Sequence, residues 1–325
     1  NPAQIKNARL ATSSKISTAA NVLTIPVTQT SIAIVANPPE GCTVEAIDNV
    51  DLEAVFKGTM LNWNELATDS GGAACESPIT RVARLDSSGT TYQFKNYLSK
   101  INGKGILPCT GGKVWKELEE SGTPNTTWPV NSESCTEPTL SPLVRGAANG
   151  GGPLVEKVNA TPGSIGYAAL PDAKAKSAKV ILSLQNNGKV TKKQTYVSPA
   201  SGMLARCGTT VYTVPKPARE GEGTGLNANW SKVFGAKIST VKSGNGYPLC
   251  TLTFVLSWNG FQKAGFTEAN ETSVNDYVRE YLTASTGQEA ITTAVNKWYA
   301  PLPESAELNH DVLGSAQYTA SKISY

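Results

Sequence analysis

The chain has 325 residues, 39% hydrophobic content and a formal net charge of +3, enough for two compact lobes or one large globular domain. That charge is small and dispersed, with no Lys and Arg run interleaved with aromatics, which excludes nucleic acid as an expected partner. No apolar stretch approaches the ~20 residues that cross a bilayer.

The first residues, NPAQIK, show neither an initiator Met nor the basic-then-apolar pattern of a signal peptide, so a processed or trimmed N-terminus is expected. SIAIVAN (31 to 37) reads as a strand. Residues 51 to 57 read as a helix whose face is Leu52, Val55 and Phe56, stopped by Gly58. RVARL (81 to 85) is a second strand. From Tyr92, Phe94, Tyr97, Leu98 and Ile101 recur at helical spacing, so a helix begins near Ser88 to Thr90.

Residues 119 to 141 are polar and rich in Pro, Ser and Thr, the mark of a long surface excursion. The Gly-rich stretch from 148 to 154 lacks the Gly-Lys-Ser/Thr ending of a nucleotide loop and reads as a turn before a helix. Strands follow at 164 to 170, 179 to 184 and 251 to 258. A helix is expected over 273 to 286 with Gly287 as its stop, then another through Ala290, Ile291, Ala294, Val295 and Trp298, halted by Pro301 and Pro303. This alternation of strands and helices argues for an α/β fold.

Six cysteines are widely spaced without a CxxC pair, and His310 is the single histidine, a pattern that offers no zinc cluster. Neither a metal nor a cofactor is expected. Pairing of sequence neighbours (Cys42 with Cys75, Cys109 with Cys135, Cys207 with Cys250) is favoured because each pair brackets one polar insertion, against the alternative of buried free thiols. Pairing implies an oxidising, extracytoplasmic location.

The stretch ARLDSSGTTYQF (83 to 94) carries the chemistry. A helix N-terminus presents unpaired amides and a partial positive charge. The Gly89 and Thr90 amides, the Ser88 and Thr90 hydroxyls and the Arg84 guanidinium would together make an anion seat. The competing reading is a plain helix cap braced by an Arg84–Asp86 pair.

Several ordered segments resemble the PstS-like phosphate-binding proteins of bacterial ABC importers. DLEAVFKGTMLNWNEL (51 to 66), ARLDSSGTTYQFKNYLS (83 to 99) and RGAANGGGPLVEKVNATPGSIGY (145 to 167) carry the likeness, with NWSKVFGAK (229 to 237), YPLCTLTFVL (247 to 256) and WYAPLP (298 to 303) following in order. The resemblance implies a two-lobed, periplasmic-binding-protein-like (type II) α/β fold with an interlobe cleft. Residues 1–29 and 252–325 would form one lobe and 30–251 the other, with strands crossing near Thr28 to Ser31 and Cys250 to Thr253. It also implies that Arg84, Ser88, Gly89 and Thr90 bind phosphate or a similar oxyanion, that Asp86 orients Arg84, and that an ABC permease is a partner.

The chain departs from the family at its start. Gln4 aligns after the family's second ligand loop, so lobe 1 is expected to be incomplete and half of the anion site absent. Where the family has a Ser-Asp pair, this chain has Ser13 and Ser14, which removes the carboxylate expected to select protonated anions. A cleaved N-terminal segment or another chain would complete the lobe. The alternative function is therefore an extracellular assembly subunit on the same scaffold with weakened ligand capture. No enzyme is expected: His310 sits in a polar segment without a GxSxG nucleophile, and Glu119/Glu120 and Glu220/Glu222 read as solvated loop charges. The sequons at Asn125, Asn159, Asn229 and Asn270 mark only sites where a host could add glycans.

Overall fold

The computed structural model describes residues 22–66, 75–102, 104–115, 126–129, 140–186, 196–202, 204–207, 212, 214, 246–293, 298–306 and 311–325. Ser13, Ser14, Cys135, His310, the four loop glutamates and the sequons at Asn125 and Asn229 lie outside them.

Strand β1 (Val22–Asn37) organises the molecule. It begins well before the expected Ser31, because Pro26 and the polar run Thr28–Ser31 hide the strand from a reading that looks for apolar alternation. Pro26 is accommodated at a register shift in the pairing, where a residue without an N–H does least harm. The first half of β1 pairs antiparallel with β10 (Cys250–Trp258), from Val22 opposite Trp258 to Ser31 opposite Cys250. The second half lies between β5 (Ser164–Ala169) and β6 (Val180–Gln185), antiparallel to both. Beyond them, β3 (Thr80–Ala83) runs parallel to β5 and to β4 (Leu143–Arg145), while β2 (Ala46–Ile47) runs parallel to β6. Short strands β7 (Tyr196–Val197), β8 (Ala200–Ser201) and β9 (Leu204–Ala205) complete the described strands.

Two hydrophobic clusters divide along β1. One contains Ile32 to Ala36, Val82, Phe94, Leu154, Ile165 and Tyr167. The other contains Leu23, Ile25, Val27, Leu252, Phe261, Val278 and Val312. Between them, buried polar groups of β1 donate to the segment that follows Trp298 and to Pro199, while Gln29 Oε1 is buried with no hydrogen-bond partner among the described residues. Thr28 Oγ1 donates to Ala300 O at 2.7 Å, Gln29 Nε2 to Pro301 O at 2.6 Å, and Ser31 Oγ to Pro199 O at 2.8 Å.

Helix α1 (Asn49–Lys57) starts on an Asp48 cap that accepts from the Asp51 amide, and it stops at Gly58 with φ +93°. This is the left-handed end that glycine adopts without cost. Helix α2 (Gly89–Ile101) buries Phe94, Tyr97 and Leu98 as the spacing predicts. Helix α3 (Gly151–Ala160) follows the Gly-rich turn, and α4 (Leu170–Ala175) follows β5 directly.

The C-terminal helices differ from expectation. Helix α5 (Glu268–Tyr281) begins five residues early, because Thr267 and Asn270 form a capping box ahead of the apolar face. It gives way to a π-turn (Ala284–Gln288) and a short α6 (Glu289–Thr293), before α7 (Val312–Ala320). The Gln288 amide causes the wider turn: Nε2 donates to Val27 O and Tyr281 O at 3.0 Å, and Oε1 accepts from the Leu302 amide at 2.8 Å. Gly287 lies inside this turn rather than ending a helix. It permits close approach, since a Cβ there would stand 2.3 Å from Glu280 O.

Cys42–Cys75 and Cys207–Cys250 are bonded as expected, and Cys109 is also in a disulfide. Among the described residues no helix is long and apolar enough to cross a membrane. The Asn159 side chain holds Lys176 O, Ser177 O and the Lys179 amide, so a glycan at this sequon would have to displace a structural contact.

The π-turn yields a stability prediction. Gly287→Ala forces the added methyl into backbone carbonyls that cannot rotate away, and should lower unfolding free energy by about 1–3 kcal/mol. Urea titration checks this, and an unchanged midpoint would show that the turn relaxes.

Candidate functional site

A cleft of about 490 Å³ opens where the two clusters meet. Arg84, Asp86, Ser88, Gly89 and Thr90 all line it, together with Thr30, Thr251 and Tyr299 from the crossing region. Five of the seven residues singled out in the sequence therefore converge on one cavity, and the other two, Ser13 and Ser14, lie outside the described residues.

The local sequence explains the convergence. β3 ends at Ala83 and α2 begins at Gly89, so the loop between them must reverse direction at the C-terminal edge of the sheet, where open α/β sheets place their ligands. Arg84 is fixed at the strand end from several sides. Its amide donates to Tyr167 Oη at 3.4 Å, and its carbonyl accepts from Arg145 Nη1 at 3.3 Å. Its side chain grips Asp86 in a fork, Nε to Oδ1 at 2.7 Å and Nη2 to Oδ2 at 2.6 Å. No described residue accepts from Nη1, so the guanidinium still presents donors in a plane that Asp86 has fixed.

Asp86 is itself held by the Gly150 amide at 3.3 Å. Burial pushes its carboxyl upward, but the Arg84 hydrogen bonds, the Gly150 amide and the Arg84 charge outweigh burial and leave it below the usual carboxylate range. Asp86 is thus charged at neutral pH and serves Arg84.

Ser88 is the N-cap of α2, and its Oγ accepts from the Thr90 and Thr91 amides at 3.1 and 3.4 Å. Capping is therefore realised, and it uses the Thr90 amide that the sequence reading left facing outward. The cap does not abolish the seat. With both lone pairs of Oγ engaged, the Ser88 hydroxyl keeps only its donor function, and the Gly89 amide at the first helical position has no intrahelical acceptor. The Ser88 amide donates to Thr126 O at 2.8 Å, and Ser87 Oγ contacts Thr126 Oγ1. Behind the loop, Thr91 Oγ1 meets Tyr167 Oη at 2.7 Å, and burial is the main cause that pushes the Tyr167 hydroxyl up to about 12.

Reasoning on the sequence missed Asp172. It opens α4 and sits against the start of α3, where a Cβ on Gly151 would stand 2.0 Å from its Oδ2. It lines the same cleft, and burial raises its carboxyl above the usual range while the Arg84 charge opposes the rise. Tyr299 is raised by burial and then by the Asp172 charge. Nothing in ALPDAKA marks a functional carboxylate, because an acidic residue beside a proline is the ordinary opening of a helix. Among the described residues no group of His, Cys, Asp and Glu could hold a metal ion.

Residues 4–256 match the family model described as the PBP superfamily domain. The chain belongs to the PBP superfamily. Its relatives include a phosphate-binding protein PstS of Xylella fastidiosa (strain Temecula1), 28% identical over 210 residues that make up 63% of this chain and 44% of that protein. Another is an alkaline phosphatase L of Pseudomonas aeruginosa, 26% identical over 88% of this chain and 66% of that one. Among solved structures, a high-affinity periplasmic phosphate-binding protein bound with phosphate superposes with a TM-score of 0.60 at 20% identity, covering 93% of this chain and 70% of that one. The chain thus spans less than half the length of the Xylella relative. The PstS-like character and the α/β binding-protein fold expected from the motifs are those found.

Asp172 supplies a pH prediction. A carboxyl whose folded-state value is raised binds its proton more tightly when folded, so its cost to stability appears as pH rises from the usual carboxylate value through the folded one. Asp172→Asn should therefore gain stability over the parent as pH is raised from 3 to 7, read as a widening gap between urea midpoints. Parallel curves would remove the burial argument.

Proposed function

We propose that this chain is a solute-binding protein that captures phosphate or a similar small oxyanion in the cleft beside α2, without catalysing a reaction on it. The observation that carries this reading is the Arg84–Asp86 fork. A guanidinium is locked in one plane by a charged carboxylate, with donors to spare, next to a capped helix N-terminus whose Ser88 hydroxyl can only donate. The fold shared with a periplasmic phosphate-binding protein bound with phosphate supports it.

In this reading Arg84, Ser88, Gly89 and Thr90 hold the oxyanion and Asp86 positions Arg84. Ser13 and Ser14, at the positions of the family's Ser-Asp pair, are kept as candidate ligand-binding residues. Residues 1–29 with 252–325 and residues 30–251 form two lobes hinged where β1 and β10 cross, and closure buries the anion. An extracytoplasmic location agrees with the disulfides, and delivery to an ABC permease is the role that the PstS resemblance implies. The alternative of an assembly subunit that has lost its ligand is less well supported, because the anion loop retains its clamp.

Titration calorimetry with inorganic phosphate tests the assignment. Arg84→Ala should weaken binding by roughly tenfold or more, the loss expected for charge-assisted hydrogen bonds in a cleft, and Arg84→Lys should recover only part because it lacks the fork. Unchanged affinity in Arg84→Ala would take the loop out of the site. Asp172→Asn should strengthen sulfate binding by roughly tenfold through removal of a like charge in a partly buried setting. No gain would mean that Asp172 faces away from the bound anion.

A further inference from the structure

Of the charged side chains that line the cleft, Arg84 and Asp86 hold each other in the fork, whereas no described residue donates to the Asp172 carboxylate. The cations nearest to it in the chain are engaged elsewhere. Lys174 Nζ stands 4.7 Å from the centroid of the Trp298 ring, and Lys176 Nζ pairs with Glu156 Oε1 at 2.6 Å. Arg145 donates to the carbonyls of Arg84 and Trp128. A partly buried carboxylate without a partner is destabilising in its charged form, and a ligand that brings a cation would remove that penalty.

The unpartnered carboxylate lies close to the anion seat. The Gly150 amide donates to Asp86 Oδ1, and a Cβ on the next residue, Gly151, would stand 2.0 Å from Asp172 Oδ2. Consecutive Cα atoms are about 3.8 Å apart, so one peptide unit separates the support of Asp86 from the residue against which Asp172 rests. Tyr299 lines the same cleft, and the Asp172 charge acts on its hydroxyl. A carboxylate with an aromatic ring nearby suits an ammonium, which is attracted by both. A plain dianion on the Arg84 loop would instead leave Asp172 unpaired and set a like charge beside it.

We infer that the cleft takes an oxyanion that carries a protonated amine, an aminoalkyl phosphate or phosphonate, with the oxyanion on the Arg84 loop and the ammonium on Asp172. This rests on the oxyanion reading above and names its substrate class.

Calorimetry on the full chain at neutral pH decides it, with inorganic phosphate, sulfate, 2-aminoethylphosphonate and 3-aminopropylphosphonate as probes and propyl- and butylphosphonate as the methyl-ended counterparts of the two amines. At least one amine should bind roughly tenfold tighter than its counterpart, the gain expected for a charge-assisted hydrogen bond in a cleft. Asp172→Asn should bring that pair to within about twofold of each other, while sulfate gains affinity. Opposite signs for amine and sulfate are what a merely structural role of Asp172 would not produce. Binding of inorganic phosphate without preference for either amine overturns this inference and leaves the oxyanion reading standing. A preference that survives in Asp172→Asn, or amine and sulfate moving in the same direction, overturns the assignment of Asp172. Binding of none of the probes overturns this inference and the oxyanion reading together.

Discussion

Everything in the molecule is arranged about the passage of β1 through two hydrophobic clusters. A strand buried along its whole length pays for each unpaired polar group in its middle, yet Thr28, Gln29 and Ser31 are there and buried. They are tolerated because the segment after Trp298 and Pro199 offer carbonyls at hydrogen-bond distance. A purely apolar crossing would weld the clusters into one core. A polar crossing whose side-chain donors are satisfied keeps the two cores distinct while holding the strand in register, and it leaves Thr30 and Thr251 lining the cleft.

The anion loop depends on that passage and adds an economy of its own. Asp86 and Ser88 are each used twice. Asp86 orients the guanidinium and accepts the amide that opens α3, while Ser88 caps α2 and, with both acceptor positions filled, can only donate outward. Capping and anion binding, which look like rival explanations of the same residues, are compatible once the lone pairs are counted. A cap that consumes its own acceptors prepares its hydroxyl for a ligand.

Much of this was legible in sequence because it is local. The helical face of α2, the Gly58 stop, the turn before α3 and the Arg84-to-Thr90 loop all lie within a few residues of the signals that specify them. What escaped depends on distant partners. The first half of β1 reads as polar because the acceptors for Thr28 and Gln29 arrive from about 270 residues away, a separation of 272 in each case. Gly287 reads as a stop because the carbonyls it approaches belong to the end of α5 and the turn is set by Gln288 reaching Val27. Asp172 carries no motif, and only the packing of α4 against α3 brings it to the cleft.

The placement of Asp172 bears on how such a cleft would choose its ligand. The start of α3 already serves Asp86, and Asp172 lies against it too. Arg84 therefore faces one carboxylate that neutralises it and a second that opposes an incoming anion. Among the described residues that line the cleft, one arginine is set against two carboxylates, so net positive charge is not what they offer. Attraction at long range from these residues is correspondingly modest, and what remains is the number and direction of hydrogen-bond donors at short range. Discrimination in such a setting falls on shape and on the match between ligand oxygens and the donors of the Arg84 loop.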